Sequence, residues 1–237
     1  MAGPDGRMLI DLLKSSGVDI RYLGSSDCDC GHAVIQVEPS GQNCIIVFGG
    51  ANIKLSEEYI GKAISTIGPD DILLTQNETS GVAYAIKTAH SRGAKIALNP
   101  SPVTPGLFNY PLELVDIFIL NEIEGARLAG QDGSYEDILR ALSKRFPAAE
   151  LVLTVGKDGA FYKKGKKILH QPALDVKAVD TTAAGDTFCG YFLASLAKRF
   201  SSGEALLFAT RPAAISVGRN GAAPSIPIWD EVVKYSK

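Results

Sequence analysis

Apolar positions along this chain follow two periods that take turns. Short apolar runs at DILLTQ (71–76), KIALNP (95–100), DIFILN (116–121) and LVLTVG (151–156) predict strands. Helical spacing predicts helices at SEEYIGKAISTI (56–67), SGVAYAIKTAHSRG (80–93), EIEGARLAG (122–130) and near 135–145. FYKKGKKILH (161–170) predicts a polar-tipped hairpin, and two helices are expected from about Gly185 and Gly203. Upstream, RMLIDLLKSSG (7–17) places Met8, Leu9, Leu12 and Leu13 on one helical face, with Gly17 at a C′ position. GHAVIQVEPSGQNCIIVFGG (31–50) predicts a hairpin around the turn residues 39–43. Strands alternating with helices imply an α/β fold: a mostly parallel sheet flanked by helices. The chain is expected to form one domain over 1–237, in which 18–50 is a small, incomplete β flap.

Composition narrows the function classes. Lys and Arg number 24 against 26 Asp and Glu, so no charge footprint suggests nucleic acid or a membrane surface. No apolar run approaches the roughly 20 residues that span a bilayer. Four cysteines are too few for a disulfide scaffold in a chain of this size, which implies a reducing, cytoplasmic setting. Walker A, Gly-x-Gly-x-x-Gly and Gly-x-Ser-x-Gly motifs are absent, which disfavours P-loop NTPases, Rossmann dehydrogenases and serine hydrolases. Cys28, Cys30 and His32 cluster in CDCGH, but no second Cys/His pair at suitable spacing completes a zinc site.

The segment VDTTAAGDTFCGYF (179–192) carries the strongest chemical signal. Small residues 183–185 at a helix start let an anion approach unpaired N–H groups. A carboxylate placed there, Asp186, would repel that anion unless it had a separate task. Phosphoryl transfer supplies one: the amides hold developing charge while Asp186 accepts a proton from an attacking hydroxyl. The alternative is that Asp186 favours the helix dipole and Ala-Ala-Gly is close helix–strand packing. Residue types leave both open.

VDTTAAGDTF resembles the C-terminal signature of the ribokinase/PfkB family of carbohydrate kinases. LLTQNE (73–78), ALNPSP (97–102), LNEIE (120–124), TVGKDGA (154–160) and GAAPSIP (221–227) resemble further family segments in the same order. The resemblance implies that Asp186 is the catalytic base and that Ala183, Ala184 and Gly185 form an anion hole. It implies that Asn121 and Glu124 position hydrated Mg²⁺ and the phosphates of ATP, with Thr154 and Gly156 beside the nucleotide. Taken bare, Glu124 also reads as a first-turn acid, and Gly156 as turn chemistry. A K⁺ site is implied at Asp180, Thr182, Ser216, Gly221 and Ser225. On the acceptor side, Glu78 matches a carboxylate that holds a sugar hydroxyl. Ala33, Ile35 and Ile45 match apolar residues lining the sugar, or serve as ordinary strand packing.

The chain also departs from the family pattern. The Asn-x-Asp and Gly-Gly-x-x-x-Asn motifs that grip the sugar are absent, and roughly sixty residues of the pattern are expected to be missing. Such a loss would expose a sheet edge, so a homodimer through the flap or that edge is expected. Pro212 interrupts the apolar pattern ALLFATRPAAISV, where a kink is expected. The implied activity is ATP-dependent phosphorylation of a pentose, D-ribose at its primary hydroxyl. The alternative is a nucleotide-binding remnant that cannot hold a sugar productively.

Overall fold

The structure is a computed structural model that describes residues 1–37 and 43–234. Its centre is a six-stranded sheet: β3 (Ile72–Gln76), β4 (Lys95–Asn99), β5 (Ile117–Asn121), β6 (Glu150–Thr154), β7 (Ala160–Lys164) and β8 (Lys167–Gln171). The strands lie side by side in that order; β3 to β6 are parallel, and β7 and β8 are antiparallel additions.

Alternation along each strand builds two apolar layers. Ile96, Leu98, Phe118, Leu120, Leu151 and Leu153 face one core. There they meet α3 (Val82–Ser91), α4 (Glu122–Ala129) and α5 (Tyr135–Arg145). The intervening Ala97, Ile117, Ile119 and Val152 face a second core. Helices α6 (Ala184–Ala197) and α7 (Ser202–Val217) close that side with Phe188, Phe192, Ala205, Leu206 and Ala209. Covering both faces is what a parallel sheet of continuous apolar strands requires. Helix α4 sits close to the sheet because Gly125 permits it: a Cβ there would lie 2.8 Å from Leu153 Cδ1.

The two-stranded sheet of β1 (His32–Val37) and β2 (Asn43–Phe48) stands apart, pairing Ala33 with Val47 and Ile35 with Ile45. The hairpin tip expected at 39–43 lies outside the described residues except for Asn43. Helix α1 (Arg7–Ser15) ends as expected, with Gly17 at φ 75°. It buries none of its residues: Met8, Leu9 and Leu12 are exposed, so its apolar face has no cover among the described residues. Helix α2 (Glu57–Ala63) stops before the expected 67, and the chain turns through Gly68 and Pro69 instead. A short helix that the apolar pattern did not predict, α8 (Trp229–Lys234), packs Trp229 near Tyr191 and Phe208. Helix α7 runs through Pro212 as one element.

Strand β3 forms one edge of the large sheet, with Leu74 exposed on it. The opposite extreme is Phe118, fully buried and 4.6 Å from the Phe146 ring. Phe118→Ala is expected to cost about 3–5 kcal/mol. A lower urea midpoint at unchanged m-value is the expected reading.

Candidate active site

Four parallel strands end in polar residues. Gln76 closes β3, Asn99 closes β4, Asn121 closes β5 and Thr154 closes β6. Register aligns Gln76 with Asn99 and Asn121 with Thr154. The start of α6 stands over this row. Together they line a cleft of about 470 Å³ that includes Glu78, Ser101, Glu124, Thr181, Ala183, Gly185 and Asp186. Ligands of open α/β sheets bind in this location, beyond the carboxyl ends of the strands.

The segment that delivers Asp186 is anchored on both sides. Val179 and Asp180 donate their amides to Val217 O at 2.9 and 3.1 Å. Asp180 accepts from the Thr182 amide at 2.9 Å and from the Gly221 amide at 2.9 Å. Hydrogen bonding from Thr182, and then from Gly221, holds the Asp180 carboxyl below its ordinary range. Helix α6 follows its N-cap Ala183, whose φ of 60° is left-handed for a residue that carries a Cβ. No side chain caps the helix. Ala184 donates its amide to Thr181 O at 3.2 Å, and the first turn offers the N–H groups of Gly185 and Asp186 to the cleft, with the dipole's positive end behind them.

Gly185 decides between two readings of the small-residue run. A Cβ there would meet no atom within 4 Å, so its smallness does not serve helix–strand packing. It leaves the helix start open to the cleft instead. Asp186 is exposed on the same turn and accepts a hydrogen bond from Gln76 Nε2 at 3.4 Å. One turn on, Cys189 belongs to the core; burial, helped by the Asp186 charge, pushes its thiol up to about 12. Such a thiol stays protonated and unreactive.

Asn121 and Glu124 form a reciprocal capping box at the start of α4. Glu124 N donates to Asn121 Oδ1 at 2.8 Å, and Asn121 N donates to Glu124 Oε2 at 3.0 Å. The box fixes both side chains at the cleft wall while engaging one oxygen of the Glu124 carboxylate. A single carboxylate with room for water suits Mg²⁺, which keeps several waters and shares phosphate oxygens. Among the described residues no group of three His, Cys, Asp or Glu side chains is placed to hold a metal ion.

Of the residues expected for K⁺, Asp180, Thr182 and Gly221 are joined by hydrogen bonds beside the α6 start. Asp180 bridges Thr182 and Gly221, and the fully buried Ser216 and Ser225 donate their hydroxyls to Ala213 O and Ala222 O. Every donor in this set is oxygen, which fits a hard cation.

The acceptor side is less complete. Glu78 lines the cleft and is exposed. Its loop is tied to the one after β4 by Asn77, which donates to Pro102 O at 2.6 Å and accepts from Tyr110 OH at 2.7 Å. Ala33 is exposed on the small sheet and does not line the cleft. The side chains of Ile35 and Ile45 lie outside the described residues. Ala184 and Gly156 belong to the adjoining segments and not to the cleft lining; Gly156 turns with φ 54° directly after β6. Sequence reasoning passed over Gln76, Asn99, Ser101 and Thr181, although a polar residue ending each apolar strand run was a visible sign. Elsewhere, Cys30 Sγ accepts from the Gly3 amide at 3.2 Å, and His32 Nδ1 lies 3.1 Å from Cys30 O.

The profile of pfkB family carbohydrate kinases matches residues 2–229. A ribokinase of Haemophilus influenzae is 34% identical over 236 residues, covering 97% of this chain and 77% of the relative. A Staphylococcus aureus ribokinase is 32% identical over 239 residues, covering 97% and 78%. Among solved structures, Thermotoga maritima ribokinase superposes with TM-score 0.85 at 31% identity over 99% of this chain and 79% of that one. Arabidopsis thaliana ribokinase complexed with ribose and ATP gives TM-score 0.84 at 30% identity, covering 100% and 80%.

Because the folded Asp180 carboxyl lies below its ordinary value of 3.8, its stabilisation is whole above that pH. It falls away as pH drops through the folded value. The urea midpoints of the intact chain and Asp180→Ala are expected to differ near neutrality and converge in acid. A gap that stays constant through the acid range would remove the carboxylate from the anchor.

Proposed function

The chain belongs to the pfkB family of carbohydrate kinases, phosphotransferases with an alcohol group as acceptor. From that premise we propose that it transfers the terminal phosphoryl group of ATP to a pentose, D-ribose becoming ribose 5-phosphate. The observation that carries this reading is the α6 start: an open, uncapped helix N-terminus with Asp186 on its first turn, facing Asn121, Glu124 and Thr154 across one cleft. Relatives named ribokinase support the choice of sugar.

In this reading Asp186 takes the proton of the primary hydroxyl as it attacks. The amides of Gly185 and Asp186 stabilise the charge that develops on the transferring group, a task suited to fixed dipoles in a partly enclosed site. Asn121 and Glu124 would hold the polyphosphate end of the nucleotide, and Mg²⁺ bound there would supply charge neutralisation. Thr154 and Gly156 border the nucleoside. K⁺ bound among Asp180, Thr182, Ser216, Gly221 and Ser225 would steady the loop that begins α6. Glu78 holds a sugar hydroxyl. We further propose that the β1–β2 sheet acts as a flap, and that the chain pairs as a homodimer through it or through the β3 edge. Val34, Ile46, Val47 and Phe48 are exposed on the flap, which supports that pairing.

A second reading is nucleotide binding without transfer. It is favoured by the acceptor side, where Glu78 is exposed and the adjoining edge strand leaves Leu74 exposed. Productive orientation of an acceptor accounts for many kcal/mol of a barrier, so a loosely held sugar would react poorly.

Titration calorimetry with a non-hydrolysable ATP analogue, Mg²⁺ and K⁺ is expected to give saturable binding. Ribose-dependent ADP release should accompany it with ATP. Asp186→Ala is expected to retain binding and lose turnover by about 10²- to 10⁴-fold. Binding without ADP release at saturating ribose selects the second reading, and a folded chain that binds no nucleotide excludes both.

A further inference from the structure

We propose that Gln76 is a positioning residue for Asp186, holding one oxygen of its carboxylate so that the other faces the acceptor hydroxyl; this rests on the assignment of Asp186 as the base.

The two residues are 110 apart in sequence, and Gln76 Nε2 donates to Asp186 Oδ1 at 3.4 Å. Strand alternation aims Gln76 at the α6 side: Ile72, four residues before it on β3, packs against the core that α6 and α7 close. Both residues line the cleft. The amide orientation follows from chemistry, since an ionised carboxylate only accepts, so the NH₂ end of Gln76 must face it. A hydrogen bond through Oδ1 leaves Oδ2 without a side-chain partner among the described residues, available to the acceptor hydroxyl. Asp186 otherwise stands exposed on the first turn of a helix, where its χ1 and χ2 would sample several rotamers. Glutamine also suits both states of its partner. After proton transfer to Oδ2, Oδ1 remains an acceptor, so the Gln76 NH₂ keeps its hydrogen bond before and after the step.

The competing role is substrate contact, and kinetics separates the two. Loss of a binding contact raises KM at constant kcat, whereas loss of base orientation lowers kcat at constant KM. Gln76→Ala is expected to lower kcat by about 10- to 100-fold with both KM values held. Gln76→Met, which keeps the side-chain length, should match it and covers the case in which the alanine variant folds poorly. Gln76→Glu should be slower still at neutral pH, because two carboxylates then meet. Asp186→Asn is the control for the underlying assignment. Undiminished turnover there removes the base itself. Lost turnover there, with Gln76 variants that keep kcat or change only KM, overturns the positioning role. Where the intact chain transfers no phosphoryl group, three-bond couplings at Asp186 give the readout. One χ1 rotamer in the intact chain and averaging in Gln76→Met are expected; an unchanged single rotamer overturns the proposal.

Discussion

The attachment of residues 179–186 to the end of α7 is the constraint on which the site depends. Two amides converge on Val217 O, and the Asp180 carboxylate ties the same segment to Gly221. These bonds fix where α6 begins, and therefore where its free N–H groups and Asp186 point. The apolar packing of Phe188 and Phe192 then holds the helix against the sheet. Neither part suffices separately: packing sets the depth of α6 and the hydrogen bonds set where its first turn starts.

Architecture was legible because the apolar periods are strong where the sheet is deepest. Strands β4, β5 and β6 are buried on both faces, and their continuous apolar runs announced them. Prediction failed at short or weakly patterned ends. Helix α8 has six residues, too few for a periodic pattern to show. Helix α2 gives way after Ala63 to Ser65, Thr66 and Gly68, which propagate a helix poorly.

Legibility of the site was uneven for a different reason. Asn121 and Glu124 could be found through the resemblance, and the structure joins them in a capping box with its fixed interval of three. The meaning of Gly185 could not, since a packing glycine and an open one have the same letter. Gly125 is of the first kind and Gly185 of the second. The left-handed backbone of Ala183 was equally hidden, because alanine gives no sign of positive φ. Gln76 was quoted within a motif and still missed, as its partner lies far away in sequence.

The strand order has a consequence for how the molecule is made. Each strand from β4 to β8 pairs with the one immediately before it in the chain. During synthesis the sheet can therefore grow by edge addition, with no strand waiting for a partner not yet translated. The polar strand ends that line the cleft emerge early in that sequence. Helices α6 and α7 emerge after all six strands, and they bring the carboxylate and its anchor together. A nascent chain thus pairs these six strands before it carries Asp186, the residue proposed as the base.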